Sequence, residues 1–233
     1  MNLNIRRRSK KRLPERVKLP LGYATAPNQT WSIDFMSDAL TDGRRFRLLN
    51  IIDDFNRQSL AIEVDTSLPA LRVIRVLQKL IDHRGKPGNI RCDNGPEFIS
   101  HKLQQWCDEQ QVTLQYIQPG EPTQNAFVER NNGALRRELL DAWMFTSLRE
   151  VRVMVQEWQK DYNENRPHKA LLYQSPLMYY NNWLNSELKM NISTEALSTS
   201  ASGGPQRPQA KAIVDKVFEI PKDDFNNESL LLN

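Results

Sequence analysis

No stretch of this chain stays apolar for the roughly 18–20 residues that a helical bilayer crossing needs, which excludes a membrane span of that kind. The first residues, MNLNIRRRSKKR, contain no apolar core of the sort a secretory signal carries. Cysteine is scarce. Cys92 and Cys107 stand apart with no pairing motif, so neither a disulfide scaffold nor a zinc module built on cysteine pairs is available. The three histidines, His83, His101 and His168, are equally scattered. There is no internal repeat, and no run of aromatics of the kind that stacks single-stranded bases. These absences leave a protein of the reducing cytoplasm as the expected class, with one medium-sized core.

What is present is an uneven distribution of charge. The 233 residues carry a net +4. Residues 1–18 hold Arg6, Arg7, Arg8, Lys10, Lys11, Arg12, Arg16 and Lys18 against one acid, Glu15, so this arm alone is +7 and the rest of the chain is −3. A basic arm of this kind is suited to nucleic acid, because it releases counterions from phosphate. Residues 1–28, broken by Pro14, Pro20, Gly22 and Pro27, read as arm and linker. Residues 29–184 read as a folded core. Residues 185–233 contain STEALSTSASGGPQRPQ and read as a linker-like tail, largely disordered.

Within the core, alternating and β-branched runs predict strands over Thr30–Met36, Phe46–Ile52, Ser59–Val64, Asn89–Cys92 and Val112–Ile117. Asp42–Gly43 marks a hairpin. Apolar spacing predicts helices over Leu68–Arg84, with Leu71, Ile74, Leu77, Leu80 and Ile81 inward, then over Glu97–Gln110 and Gln124–Trp143. Val128, Leu135, Leu139 and Ala142 form the expected inward stripe of the last. Ser147 with Glu150 is a capping box for a further helix closed by Pro167, and a short helix follows at Pro176–Trp183. The order describes a mixed α/β sheet.

Three carboxylates occupy chemically suggestive places. Asp34 lies in WSIDF on the opposite side of its strand from Ile33 and Phe35. Asp93 follows a strand at an Asn-Gly turn, and strand ends are where ligands gather in open α/β sheets. Glu129 lies on a helix, 35 residues after Asp93, on one face with Asn125, Asn132 and Arg136. An acid, two amides and a guanidinium in a row suit a phosphate backbone passing a metal. Oxygen ligands of this type suit Mg²⁺, and two such ions can clamp the attacking and leaving oxygens of a phosphodiester. Each residue also has a plainer reading: an edge-face Asp, a turn Asp and a solvated helix Glu. Glu97 is expected to cap the helix that follows it, and Asp53 and Asp54 to be a solvated strand end.

The blocks WSIDF, RCDNGPEF, PGEPTQNAFVER and YNENRPHKALLYQSP, in this order and with that 35-residue gap, resemble the DDE transposases of bacterial insertion sequences of the IS-three kind, relatives of retroviral integrase. The resemblance runs from about Gln29 to Trp183. It implies a ribonuclease-H-like fold, a mixed five-stranded sheet flanked by helices. It also implies catalysis by Asp34, Asp93 and Glu129 holding Mg²⁺, with Mn²⁺ able to substitute, in a pair of ions. Cleavage and transfer of DNA strands would follow, with Arg136 contacting DNA seven positions after Glu129. The implied partners are DNA at element ends and target, further copies of the chain, and the protein of the upstream frame. Two features depart from the pattern: Leu172 in LLYQSP stands where Gly is common, and the tail after Asn185 matches nothing in the family. Only the basic arm precedes the core, where a helix-turn-helix is usual. A truncated, non-catalytic DNA-binding or inhibitory fragment is therefore the competing expectation.

Overall fold

The computed structural model describes residues 23–118 and 122–200. The arm residues Arg6, Arg7, Arg8, Lys10, Lys11 and Arg12 and the tail beyond Ser200 lie outside them. The chain divides into two units at Leu184. In the first, β1 (Thr30–Ala39), β2 (Arg45–Asp53), β3 (Ser59–Asp65), β4 (Asn89–Cys92) and β5 (Thr113–Tyr116) form one sheet in the order β3-β2-β1-β4-β5. The β1–β2 and β2–β3 pairs are antiparallel, whereas β4 and β5 join in parallel through crossover helices. The helices are α1 (Ala70–Arg84), α2 (His101–Glu109), α3 (Ala126–Leu135), α4 (Leu148–Glu164) and α5 (Pro176–Ser200). Among the described residues, no helix is long and apolar enough to cross a membrane.

The alternation of β1 sorts the two faces. Trp31 and Ile33 pack with Leu49, Ile51, Ile90 and Cys92 beneath α1 and α2. On the other face Phe46, Leu48 and Val64 pack with Leu135, Leu139, Leu140, Val151 and Val155. β2 lies inside the sheet between β3 and β1, and Leu48 through Ile52 are buried on both sides, as a strand covered on both faces requires.

Several expected boundaries shift for local reasons. β1 reaches Ala39 because the hairpin turn sustains pairing as far as Ala39↔Arg45, with Gly43 at φ +85°. α1 starts at Ala70, since Pro69 disfavours helical backbone at Leu68 and is itself extended at the N-cap. Leu71, expected inward, is 58% exposed. α2 starts at His101, where Ser100 Oγ accepts from the Leu103 amide at 3.3 Å. Glu97 is thus not the cap and instead pairs with Arg47.

The single helix expected over Gln124–Trp143 is in fact three pieces: a 3₁₀ turn at Pro122–Asn125, α3, and a π turn at Arg136–Leu140 closed by Asp141 N–H on Arg136 C=O at 2.8 Å. The wide turn lets the consecutive Leu139 and Leu140 both be buried, and Ala142 beyond it is exposed. At α4, Ser147 caps as expected, but Glu150 reaches back to the Thr146 amide and hydroxyl at 2.8 and 2.9 Å. α5 continues past Trp183 to Ser200, through residues that include neither Gly nor Pro, and the stretch from Asn185 belongs to the second unit.

Asp53 and Asp54 are not solvated. They are 0% and 2% exposed. Asp54 accepts from Arg91 Nη1 at 2.6 Å and from Ser32 Oγ at 2.6 Å, and Asp53 accepts from the Asn28 amide at 2.8 Å. Burial pushes both carboxyls up, against these partners. Removing one member of a buried ion pair strands the other charge, so Arg91→Ala should cost about 3–5 kcal/mol in denaturant unfolding. The double variant Arg91→Met/Asp54→Leu should cost less than the sum of its single changes, and additivity would contradict the coupling.

Candidate active site

Asp34 sits at the middle of β1 opposite Asn50 of β2. Asn50 Nδ2 donates to Asn132 Oδ1 at 2.7 Å, and Asn132 Nδ2 donates to Asp34 Oδ2 at 2.8 Å. Asp34 Oδ1 accepts from the Phe35 amide at 2.8 Å. Burial above all, with the charges of Asp93 and Glu129 beside it, raises the Asp34 carboxyl from 3.8 to about 6. These three carboxylates thus share one electrostatic neighbourhood although they come from β1, the loop after β4 and α3.

Asp93 is held by its turn. Its Oδ1 accepts from the Gly95 amide at 2.9 Å, and a Cβ at Gly95 would lie 2.9 Å from that same oxygen. Glu129 is exposed in the first turn of α3 and makes no hydrogen bond to a described residue. Among the described residues, no three His, Cys, Asp or Glu are already drawn together as a cation site. Asp34 with either of the two acids it feels is nevertheless the kind of donor set a hard divalent ion takes, since Mg²⁺ needs only one or two carboxylates with water and phosphate oxygens beside them.

The expected row along α3 divides. Asn125 and Asn132 are 2% and 7% exposed and are spent inside the fold, Asn125 Nδ2 on Ile33 C=O at 3.3 Å and Asn132 on Asp34. They hold β1 rather than line a groove. Arg136 remains one-third exposed, with Nη1 on Asp38 at 2.8 Å and Nη2 on Ser37 C=O at 2.7 Å. Sequence reading missed Asn50, because only the β1–β2 register places it across from Asp34. Cys92 is a buried core residue as expected, its thiol pushed up by burial.

Two predictions follow from this geometry. A carboxyl whose folded pKa exceeds its unfolded value binds its proton more tightly when folded, so this group makes stability fall as pH rises from about 4 to about 6. Asp34→Asn should flatten that slope and stabilise the metal-free protein at pH 7 by about 1–3 kcal/mol, at ~1.4 kcal/mol per unit; a lower melting temperature than the parent at pH 7 would contradict this. Gly95→Ala should displace the Asp93 carboxylate, the flexible neighbour, while leaving unfolding free energy within about 1 kcal/mol. Weaker Mn²⁺ binding by calorimetry with unchanged stability is the expected pair of results.

Integrase core domain models match residues 24–122 and residues 110–176. The chain is 46% identical over 176 residues to the insertion element IS407 uncharacterized 31.7 kDa protein of Burkholderia multivorans, covering 75% of this chain and 63% of that protein. It is 40% identical over 168 residues to the IS476 uncharacterized 39.2 kDa protein of Xanthomonas euvesicatoria, covering 72% and 49%. The chain thus spans less than two thirds of these relatives. The HTLV-2 integrase catalytic core, solved in complex with magnesium, superposes with a TM-score of 0.53 at 20% identity, covering 67% of this chain and 98% of that one. The sheet order and its flanking helices are the ribonuclease-H-like fold of such cores.

Proposed function

Because this chain belongs to the integrase core family found in bacterial insertion elements, we propose that it is the catalytic core of a transposase that cleaves DNA and joins the freed strand to a target. The observation that carries this reading is that Asp34, raised above all by burial, also feels the charges of Asp93 and Glu129, carboxylates brought from two other elements. These three residues would hold the divalent metal, a pair of Mg²⁺ ions with Mn²⁺ as substitute. When bound, the metal would lower the pKa of the attacking water or 3′-hydroxyl and stabilise charge on the phosphorane-like transition state. Magnesium in the HTLV-2 core supports that choice.

The chain's own residues do the positioning. The Asn50–Asn132 relay fixes the orientation of the Asp34 carboxylate, and the Gly95 turn fixes Asp93. Glu129, unbound by hydrogen bonds to described residues, is free to complete the set when substrate arrives. Arg136, near the outer end of β1, would meet the DNA backbone there. No serine or tyrosine nucleophile is needed. Substrates are DNA at element ends and target, and the working form is a multimer, in keeping with the trimeric and dimeric HTLV-2 core forms and the simian T-cell lymphotropic virus intasome. The protein of the upstream frame would supply end recognition.

The test is incubation with Mn²⁺ or Mg²⁺ and a branched DNA that mimics a strand-transfer product. Metal-dependent cleavage and rejoining, lost in Glu129→Gln, is the expected result. DNA binding without joining in either protein would overturn the catalytic reading in favour of a non-catalytic DNA-binding fragment.

A further inference from the structure

A second polar cluster lies on the side of α3 that carries Phe127, Arg130 and Asn131, a quarter-turn and more from Glu129. Arg57, in the turn after β2, has φ +61°; its guanidinium donates to Asp54 C=O and lies 3.3 Å over the Phe127 ring. From the end of α4, Arg166 pairs with Glu138 and stands 5.4 Å from the Tyr162 ring. His168 packs edge-on against the same ring at 5.0 Å.

The charge and hydrogen bonding of this cluster do not close. Of the three guanidiniums, only Arg166 makes an ion pair among the described residues; Arg57 donates to a carbonyl and feels the Asp54 and Asp53 carboxylates without pairing with either, and Arg130 is exposed with no ion pair. His168 Nε2 is buried without a hydrogen-bond partner. The Asn131 amide, 1% exposed and facing the Tyr162 phenol, makes no hydrogen bond of ordinary geometry. Arg166, Arg57 and Arg130 all act on His168 and, behind burial, hold its imidazole down at about 4, so it is neutral at working pH. A buried polar atom without a partner costs about 1–3 kcal/mol, and surplus guanidiniums crowded together add to that. The guanidiniums can only donate, and the Asn131 amide nitrogen and one imidazole nitrogen can donate as well. They reject a cation and suit an oxyanion, and guanidiniums match the paired oxygens of a phosphate.

We propose that Arg57, Arg130, Asn131 and His168 form a binding site for one backbone phosphate of a DNA strand, separate from the carboxylate site. This deepens the function proposed above and rests on it for the identity of the strand. Arg130 is the residue next to Glu129, so a strand lying along the exposed side of α3 would have one phosphodiester near the carboxylates and a neighbouring one at this cluster. The contact carries no sequence information and would fix the register of the strand.

The test uses the full chain without metal, so that it does not depend on catalysis. The His168 imidazole signals, assigned with His168→Gln, are titrated against pH alone, with inorganic phosphate, and with a short DNA duplex. DNA should move the His168 pKa upward by about one unit or more, as an anion beside an imidazole does. Arg130→Gln, an exposed change, should lower DNA affinity roughly tenfold and reduce the slope of log affinity against log salt by about one. Glu129→Gln should keep the full His168 response, which separates failure of this site from failure of the catalytic reading. An unmoved His168 pKa together with an unchanged salt slope in Arg130→Gln overturns the proposal. A response to inorganic phosphate but not to DNA also overturns it, leaving a free-anion site.

Discussion

Everything at the candidate site hangs on how one helix crosses a polar strip of the sheet. On that face β1 and its neighbours present Ser32, Asp34, Asn50 and Arg91 rather than apolar side chains. Polar groups buried there are costly unless answered. α3 answers with amides, Asn125 to the β1 backbone and Asn132 bridging Asn50 and Asp34. An amide can donate at one atom and accept at the other, which is why Asn132 can serve both neighbours at once. The carboxylate is held in place by uncharged groups. Among the described residues no cation pairs with it, so its charge is not cancelled from within the fold.

Much of this could be read from the sequence, and the reasons are local. Alternation in WSIDF separates Asp34 from Trp31, Ile33 and Phe35, and the Asn-Gly turn after Cys92 marks a strand end. All five strands and the capped start of α4 follow from patterns a few residues long. What escaped depends on pairings between distant segments. Asp54 looks like any acid at a strand end until β4 places Arg91 beside it, and Asn132 looks like a surface amide until α3 lies on β1. The π turn escaped for another reason: two adjacent leucines both needing burial look like a slight defect in a helical stripe.

Arginine plays two opposed parts here. Arg91 is 6% exposed, and its charge is matched by Asp54, so it contributes shape and connectivity and leaves no field outside. Arg57 and Arg130 make no ion pair among the described residues; Arg57 shares the field of Asp54, which Arg91 already occupies, and Arg130 is exposed. The −3 balance of residues 19–233 conceals this. Net charge over a domain says little about where an anion would be welcome when several of the cations are already answered internally.

The separation in sequence between Asp34 and Asn132, 98 residues, has a consequence for synthesis. β1, β2 and β3 pair as a meander of near neighbours and can form while the chain is still growing. The amides of α3 arrive only after β4, α2 and β5 have left the ribosome. Until then the nascent strands carry an acid with nothing to orient it. The amides that orient Asp34 are thus made only after all five strands, and a chain released before α3 has the sheet without the groups that hold this carboxylate.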